Sequence, residues 1–464
     1  MSRGTGFVAA VDLGATSGRV MLGHVGHNEL SVRPVARFPN GPVHRADGLH
    51  WDIEALRGHV MAGLAAAVRE EPSVASIGVD SWAVDYALIK DGRMLGEPFH
   101  YRDDRNLAAV ERVHSLVSPA ELYAANGLQH LPFNTLFQFS AEESLDADAF
   151  LLIPDLFGYW LTGRAFAERT NASTTGLLSV TSGLWDDALI ERLGLPRSIF
   201  PTLVDPGTSL GPLLPEVALE IGAELSVTAV GSHDTASAVV AVPAATDDFA
   251  YISCGTWGLV GVELEHPVLT EASRAANFTN EGGVDGRVRF LHNVMGLWLL
   301  SESLRAWGRD DLPELLAAAA SVSGSVPVFD ANDPAFLAPG DMPDRIATWF
   351  RERGIQPPAS EVEMVRSIVE SLAVAFADAV RTASELSGKD VSVIHLVGGG
   401  SQNELLCQLT ADRSGLPVLA GPVEATAIGN VLVQARALGL ASGSLESLRS
   451  LVAAAFSPRR YLPR

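Results

Sequence analysis

Residues 8–23 read VAAVDLGATSGRVMLG, and residues 250–263, about half the chain further on, read AYISCGTWGLVGVE. Each stretch consists of a short apolar run, a turn rich in Gly, Ser or Thr, and a second short apolar run, which is the pattern of a β-hairpin. A hairpin of one design that occurs twice predicts two related half-domains. A length of 464 residues is too great for one core and suits two.

The turns of the two hairpins have the chemistry to bind phosphate. Glycines let the backbone come close to a ligand, and hydroxyl groups add donors beside the backbone amides. Ordinary turns also contain Gly and Ser, so the alternative is a pair of hairpins without a ligand. We expect a nucleotide to bind between the two half-domains, and the residues concerned are Gly14, Thr16, Ser17, Gly18, Ser253, Gly255 and Thr256.

Composition narrows the class of protein. Apolar residues make up 47% of the chain and charged residues 19%, which is typical of a well-cored globular protein. The formal charge of −22 argues against a surface that follows nucleic acid or anionic lipid. Only two cysteines, Cys254 and Cys407, are present, and we expect both as buried thiols. Because the sequence shows no secretory leader and no run of 18 apolar residues, we expect a cytoplasmic protein without a membrane span.

Strand and helix patterns alternate along the chain and predict α/β architecture with largely parallel sheets. Residues 243–248 are short, polar and unpatterned, and they predict a boundary between domains at 1–242 and 243–464. Residues 76–80 read as a buried strand whose alternation continues through Trp82, Val84 and Tyr86. The other predicted elements are helices at 53–69, 151–161, 235–242, 362–383 and 403–412 and strands at 225–230 and 391–397.

Asp234 is the candidate catalytic residue. It lies in GSHDTASA (231–238), where a strand turns sharply into a helix. A carboxylate at a helix N-terminus is favoured in its charged form by the unpaired amides there, so it could accept a proton from a substrate hydroxyl. The alternative is a side chain that only caps the helix. His233 beside it could polarise a substrate or fill a pocket.

Asp12 ends the first strand of the first hairpin, beside the phosphate-binding turn. A carboxylate there is expected to act through Mg²⁺, because two anions would otherwise repel each other, and the alternative is a turn-forming Asp. Glycines at 398–400 lie between a strand and a helix, where backbone can approach an anionic ligand or simply turn tightly. Trp82 follows a strand end and is the best candidate to stack on a sugar, although most such Trp side chains are core.

Taken together, the motifs VDLGATSGRVML, SIGVDSWAVDY, YRDDR, LPFNTLFQ, PDLFGYWLTG, TNASTTGLL, SHDTASAV, SCGTWGLVG, NEGG, MGLWLL and VGGGSQNELLCQLTADRSGLPVLAGPVEATAIGN resemble the FGGY family of carbohydrate kinases over nearly the whole chain. PDLFGYWLTG, NEGG and MGLWLL are most similar to the branch that phosphorylates L-rhamnulose. The resemblance implies two actin-like (ribonuclease H-like) domains with an ATP and sugar cleft between them. It also implies Mg²⁺ and phosphorylation of a ketose at its terminal C1 hydroxyl.

The resemblance assigns roles to individual residues. Asp234 would be the proton acceptor, and the sugar would lie against Trp82, Ala83, His233, Thr235 and Asn293. The nucleotide would contact Ala15, Thr16, Ser17, Gly18, Arg19, Thr256, Ser301, Gly399 and Gly400. Two positions depart from the branch, which usually has Gly at Ala83 and Gln at Ser301. The first affects the choice of sugar and the second affects nucleotide contact.

Three functions remain in view at this point. The first is an ATP-dependent kinase for L-rhamnulose, and the second is the same chemistry on L-fuculose or a xylulose. The third is an actin- or chaperone-like nucleotide switch without catalysis, against which Asp234 beside a predicted cleft argues. ADP release that depends on a sugar separates an enzyme from a switch. We expect no nucleic acid or membrane partner, and the sequence leaves the oligomeric state open between monomer and homodimer.

Overall fold

The computed structural model describes residues 4–464, in which strands and helices alternate as expected for an α/β protein. Contacts divide the chain into two compact units, each built from segments that are separate in sequence. Unit 1 contains the chain up to Ala245 together with Glu263–Phe290 and Glu424–Ala455. Unit 2 contains Thr246–Val262, Leu291–Val423 and Phe456–Arg464. Within residues 4–464, no helix combines the length and apolar composition that a membrane span requires.

The elements follow one another in chain order. The first are β1 (Gly6–Leu13), β2 (Ser17–Gly26), β3 (Glu29–Pro39), β4 (Pro42–Arg45), β5 (Gly48–Trp51), α1 (Ile53–Glu70), β6 (Val74–Ser81), β7 (Tyr86–Lys90), β8 (Arg93–Met94), α2 (Asn106–Leu116), α3 (Pro119–Asn126), α4 (Thr135–Ala141), β9 (Ala149–Leu152), α5 (Ile153–Thr162), β10 (Ala167–Glu168), α6 (Arg169–Ala172), α7 (Asp187–Arg192), β11 (Leu203–Val204), β12 (Ser209–Pro212), α8 (Pro215–Ile221), β13 (Ser226–Thr228) and α9 (Asp234–Val240). The rest are β14 (Phe249–Cys254), β15 (Gly258–Leu264), α10 (Glu271–Ala275), β16 (Thr279–Gly282), β17 (Val288–Val294), α11 (Trp298–Trp307), α12 (Leu312–Ala320), α13 (Met342–Glu352), α14 (Glu361–Ser387), β18 (Val393–Val397), α15 (Glu404–Ser414), β19 (Val418–Ala420), α16 (Ala425–Ala437), α17 (Leu445–Ala455) and β20 (Arg459–Tyr461).

The large sheet of unit 1 has the strand order β12-β13-β6-β1-β2-β3. Strand β1 pairs antiparallel with β2 and parallel with β6, and β13 also pairs parallel with β6. Helices α1 and α16 cover opposite faces of this sheet. Val20 of β2 lies against Gly63 of α1, whereas Gly23 of the same strand lies against Val431 of α16. Residues three apart on a strand point to opposite faces, so the two contacts show that helices cover both faces of the sheet. A strand that is buried on both faces reads as a continuous apolar run, as β1 does.

Unit 2 repeats this arrangement. Its sheet contains the neighbouring strands β15-β14-β18-β19-β20. Strand β14 pairs antiparallel with β15 and parallel with β18, just as β1 pairs with β2 and β6 in unit 1. Three residues separate the two strands of each hairpin, at positions 14–16 and 255–257. The duplicated hairpin predicted from the sequence is therefore confirmed as a structural repeat.

Most predicted elements are present, and two were drawn wrongly. The strand alternation predicted through Trp82, Val84 and Tyr86 is wrong, because β6 ends at Ser81 and Val84 has a φ of 67°. The helix predicted at 151–161 begins only at Ile153, because the two residues before it pair with β7 as strand β9. The long helix α14 ends as predicted, with Gly388 as its left-handed C-cap.

Helices α9 and α16 pack closely in unit 1, and a glycine makes the approach possible. A Cβ atom on Gly429 of α16 would overlap the backbone carbonyl of Ser237 in α9. Because Ser237 is itself helix backbone, it cannot swing away as a flexible side chain would. The contact therefore fixes the spacing between α16 and the helix that begins at Asp234.

We expect Gly429→Ala to destabilise the protein by about 1–3 kcal/mol, since the added methyl group must push the two helices apart. Gly58→Ala is the matched control, because Gly58 is exposed in α1 and its Cβ would meet nothing within 4 Å. That substitution should stabilise by about 0.5–1 kcal/mol through helix propensity alone. Urea unfolding of both variants measures the difference, and equal effects would contradict the close approach.

Candidate functional site

The turn of the first hairpin is fixed by hydrogen bonds at Gly14, whereas Thr16 and Ser17 are open to solvent. Gly14 N donates to Ser17 O at 2.9 Å, and Asn40 Nδ2 donates to Gly14 O at 2.8 Å. Thr16 and Ser17 are exposed, so their hydroxyl groups can reach a ligand. Gly18 has a different reason to be glycine, since a Cβ there would overlap the ring of Phe38. Its small size is required by packing against Phe38, and the contact of its backbone with a nucleotide stays a prediction.

Arg19 is held between two carboxylates. Its Nε lies 2.9 Å from Asp12 Oδ2, and its guanidinium donates to Glu424 Oε2 at 2.6 Å. Burial raises the pKa of Asp12 to about 6, although the Arg19 charge pulls it the other way. Arg19 therefore compensates part of the negative charge at the end of β1.

Asp12, Asp80 and Asp234 form a carboxylate cluster, and Asp80 is a member that the sequence reasoning missed. Asp12 and Asp80 are register partners at the ends of the parallel strands β1 and β6. Burial raises the pKa of Asp80 well above its ordinary value, and the charges of Asp12 and Asp234 raise it further. The available signal was a repeated pattern, because both strands are apolar runs with Asp as their second-to-last residue.

Asp80 is supported by side chains from α16. Asn430 Nδ2 donates to Asp80 Oδ2 at 2.6 Å, and Gln434 donates to Asn430 Oδ1 at 2.7 Å. The other oxygen, Asp80 Oδ1, is buried and accepts no hydrogen bond. Asp80 Oδ1 is thus an acceptor that no donor of the protein satisfies.

This cluster fits Mg²⁺ bound through water. Carboxylate oxygens are the ligands that Mg²⁺ prefers, and the ion usually keeps several waters while it contacts one or two carboxylates and the substrate phosphates. Within residues 4–464, no three His, Cys, Asp or Glu side chains converge closely enough to hold an ion by themselves. The unpartnered Asp80 Oδ1 and the neighbouring Asp12 match a hydrated ion of this kind.

Asp234 is the first residue of α9, and His233 is its N-cap. The capping role considered for Asp234 is therefore wrong, since its side chain lies one position inside the helix. Thr235 Oγ1 donates to Asp234 Oδ1 at 3.1 Å. The Asp234 side chain is 31% exposed, whereas Asp12 is 2% exposed and Asp80 is fully buried. Of these three carboxylates, Asp234 alone can meet a substrate directly.

A buried glutamate fixes the loop that carries Asp234. Glu168 Oε2 accepts hydrogen bonds from Ser232 N at 3.0 Å and Ser232 Oγ at 2.8 Å. The same carboxylate accepts from Thr170 N, Thr170 Oγ1 and Asn171 N, so five donors surround it. Burial raises the pKa of Glu168, and these hydrogen bonds act in the opposite direction. These hydrogen bonds hold Ser232 against α6, and they thereby fix the position of the next residues, His233 and Asp234.

The loop after β6 contains the predicted sugar-site residues Trp82 and Ala83. Trp82 is 5% exposed, and its ring lies 4.0 Å from that of Trp51, so one face is covered. Its indole Nε1 donates to Asp85 Oδ2 at 3.1 Å. These contacts make Trp82 mainly a core residue, and the half-buried Ala83 is more accessible.

Asp85, a second residue that the sequence reasoning missed, organises this loop. It accepts from the indoles of Trp51 and Trp82, from Gln138 Nε2 at 2.9 Å and from Tyr101 N at 3.2 Å. Burial raises its pKa to about 7 against the pull of these donors. The loop is strained as well, because Val84 is β-branched and has positive φ. Thr135 Oγ1 holds it by donating to Val84 O at 2.7 Å.

Unit 2 brings together two of the predicted nucleotide-binding segments. The turn containing Thr256 is tied to α11, since Trp298 N donates to Thr256 O at 3.1 Å. The glycine run packs on the end of the same hairpin, where a Cβ on Gly400 would overlap Cys254 Sγ. Gly399 differs from its neighbours, because it is exposed and a Cβ there would meet nothing within 4 Å. Gly399 is the glycine of the run that leaves room for a ligand.

The remaining predicted residues also lie in unit 2. Asn293 is half-buried in β17, and Ser301 is exposed in the first turns of α11. Cys254 and Cys407 are buried free thiols, as expected. The structure therefore gathers the carboxylates, Arg19, His233 and the Trp82 loop in unit 1, and Thr256, Asn293, Ser301 and the glycine run in unit 2.

Comparison with known proteins gives matches over almost the whole chain. The N-terminal domain of the FGGY family of carbohydrate kinases matches residues 7–241, and the C-terminal domain of that family matches residues 250–438. A rhamnulokinase of Bacteroides thetaiotaomicron is 40% identical over 463 residues, which cover 98% of this chain and 95% of that protein. A rhamnulokinase of Pectobacterium carotovorum is 42% identical over 466 residues, covering 98% of this chain and 93% of that one.

Solved structures show the same fold at low identity. A ligand-bound xylulose kinase from Lactobacillus acidophilus superposes with a TM-score of 0.78 at 16% identity, covering 99% of this chain and 94% of the other. A Plasmodium falciparum glycerol kinase with ADP gives a TM-score of 0.78 at 14% identity, with coverage of 99% and 94%. These likenesses concern the fold, and they agree with the expected pair of actin-like α/β domains.

We expect Glu168→Gln to lower the free energy of unfolding by about 1–3 kcal/mol. The NH₂ group of the glutamine is itself a donor, and it would face donors that now bond to the carboxylate. The exposed Glu216 in α8 offers a matched control, and Glu216→Gln should change stability by less than about 0.5 kcal/mol. Urea unfolding compares the two. If both substitutions are neutral, Glu168 does not fix the loop that carries Asp234.

Proposed function

We propose that this chain, which belongs to the FGGY family of carbohydrate kinases, transfers the γ-phosphoryl group of ATP to the C1 hydroxyl of L-rhamnulose. The observation that carries the sugar assignment is identity of 40% and 42% to two rhamnulokinases along 98% of this chain. Identity spread over both family domains supports the whole reaction, including nucleotide and sugar binding. The chain is accordingly a carbohydrate kinase, and the nucleotide switch without catalysis is not favoured.

Asp234 is the proposed general base. It is the partly exposed member of the carboxylate cluster, at the start of α9, and Thr235 orients one of its oxygens. Phosphoryl transfer needs alignment, charge neutralisation and a base for the attacking hydroxyl rather than covalent catalysis. The carboxylate accepts the C1 hydroxyl proton as the new O–P bond forms and the bond from the γ-phosphorus to the leaving oxygen of ADP breaks.

Apart from Arg19, the residues proposed for the nucleotide supply neutral donors and backbone rather than charge. Support comes from the exposed hydroxyls of Thr16 and Ser17 and from the open face of Gly399. Asp12 and Asp80 would hold Mg²⁺ through water, and the ion when bound offsets the charge of the phosphates. The other residues of the proposed nucleotide site are Ala15, Gly18, Arg19, Thr256, Ser301 and Gly400.

The residues proposed to contact the sugar are Trp82, Ala83, His233, Thr235 and Asn293. L-Fuculose and a xylulose remain the alternative substrates, because the methyl group of Ala83 stands where the branch usually has Gly. One methyl group in a pocket changes preference by only about 1–3 kcal/mol, which reorders close epimers but does not change the reaction. We further propose two domains, 1–242 and 243–464. We also propose a cytoplasmic location, which is consistent with the two free thiols.

Asp234→Asn should lower kcat by about 10²–10⁴-fold, the range typical for removal of a general base. Asn can occupy the same space, so L-rhamnulose binding measured by calorimetry should be largely retained. The exposed Asp247 supplies the control Asp247→Asn, which should leave kcat unchanged. Near-normal turnover in a folded Asp234→Asn protein would remove Asp234 from the mechanism.

In a coupled assay of ADP release, we expect kcat/KM to be highest for L-rhamnulose, lower for L-fuculose and L-xylulose, and negligible for glycerol. A site that hydrogen-bonds sugar hydroxyls rejects ligands that leave its polar groups unpaired. Ala83→Gly is the matched variant, which should shift the ratios between ketoses while L-rhamnulose stays first. Another ketose that wins by tenfold or more would overturn the sugar assignment and leave the kinase assignment intact.

A further inference from the structure

His233 belongs to a buried polar cluster in unit 1 that no role assigned above explains. Its partners are Glu281 of β16 and Arg289 of β17. The His233 and Glu281 side chains are each 7% exposed, and Arg289 is fully buried. Burying three ionisable groups is costly unless each satisfies the others, so the arrangement calls for a reason.

The guanidinium of Arg289 contacts all the other members of the cluster. One terminal nitrogen lies 3.0 Å from His233 Nδ1, and the other lies 3.1 Å from Glu281 Oε2. Its Nε donates to the carbonyl of Gly282 at 2.9 Å. The pKa of Glu281 is lowered overall, because the charge of Arg289 acts against the effect of burial. Glu281 is thus a carboxylate that keeps Arg289 in place.

These contacts decide which nitrogen of His233 carries the proton. A guanidinium has donors only, so His233 Nδ1 must accept the hydrogen bond from Arg289. Glu281 Oε2 lies 3.3 Å from the same nitrogen, but it accepts no hydrogen bond in this arrangement. The proton of a neutral imidazole is therefore on Nε2. That atom faces Asp234, with 3.5 Å between His233 Nε2 and Asp234 Oδ1.

We propose that Arg289, backed by Glu281, is a positioning residue that holds His233 as the neutral tautomer with its proton on Nε2. His233 then offers a donor to Asp234 or to the sugar oxygen beside it. In the opposite tautomer, the Nε2 lone pair would face the carboxylate and repel it. The inference rests on the proposed function for its catalytic consequence, but the tautomer itself is a property of the folded protein.

The buried pair of Arg449 and Glu263 is an example of an arginine with a purely structural role in this protein. Arg449 of α17 forms two hydrogen bonds to Glu263, at 2.8 and 2.9 Å, and a third to the carbonyl of Val239. Those contacts join a helix to a strand and to the end of α9. Arg289 instead contacts its carboxylate with one terminal nitrogen and gives the other to a ring next to the proposed base.

The first test is nuclear magnetic resonance of protein labelled with ¹⁵N-histidine, at pH 7.5. Two-bond ¹H–¹⁵N spectra distinguish the two neutral tautomers from the charged ring, and His233→Gln identifies the His233 signals among the 12 histidines. We expect a protonated Nε2 and an unprotonated Nδ1. A proton on Nδ1, or on both nitrogens, would overturn the proposal, and this outcome does not depend on whether the protein phosphorylates any sugar.

The second test combines substitution with kinetics. Arg289→Met should lower kcat by about 10²-fold with KM for L-rhamnulose within about threefold, because the base is misplaced while most sugar contacts remain. Arg289→Met/Glu281→Met removes both charges of the pair at similar volume and guards against misfolding. In both variants the His233 signals should leave the Nε2–H pattern.

The control is Arg287→Met, just before β17, which removes an arginine paired with Glu265 and Glu446 at the surface. It should leave kcat and the His233 signals unchanged. Unchanged His233 signals in the Arg289 variants would refute the positioning role even if activity fell. Wild-type protein that shows the Nε2–H tautomer but phosphorylates no sugar would refute the proposed function and leave the assignment of the tautomer standing.

Discussion

The carboxylate of Glu168 has no access to water, and its need for hydrogen-bond donors determines where the chain turns from β13 into α9. Ser232 supplies two of those donors, so the next two residues, His233 and Asp234, start from a fixed point. Burying an ionised group without donors costs several kcal/mol, and five donors offset that cost. The same constraint that stabilises the loop therefore aims the proposed base, with Arg289 orienting His233 from the other side.

Glycines in this chain serve two different purposes that look alike in sequence. Gly18, Gly400 and Gly429 are small because another group occupies the space of their Cβ, respectively a ring, a thiol and a helix carbonyl. Gly399 has open space instead, because a Cβ there would meet no protein atom within 4 Å. A Gly-rich turn in a sequence thus indicates that another group comes close to the backbone. Only the folded structure shows whether that group belongs to the protein itself.

The sequence predicted those parts of the fold that depend on neighbouring residues. The hairpins, α1, α14 and the stop at Gly388 follow from local periodicity and cap chemistry, and they were predicted correctly. Asp80 and Asp85 were missed because their partners are distant, with Asp80 held by Asn430 and Asp85 by Trp51 and Gln138. Val84 was misassigned for the same reason, since its strained backbone is stabilised from Thr135 and β-branched residues otherwise favour strands.

The repeated hairpin shows how one framework supports two kinds of chemistry. In the first copy, Asp12 stands two residues before the turn glycine, whereas in the second copy that place belongs to Ser253 before Gly255. The carboxylates and the proposed base accordingly collect in unit 1, and the turn of unit 2 presents a hydroxyl and backbone amides. In a chain with a net charge of −22, a nucleotide polyphosphate is best met by neutral donors and by carboxylates that act through a cation.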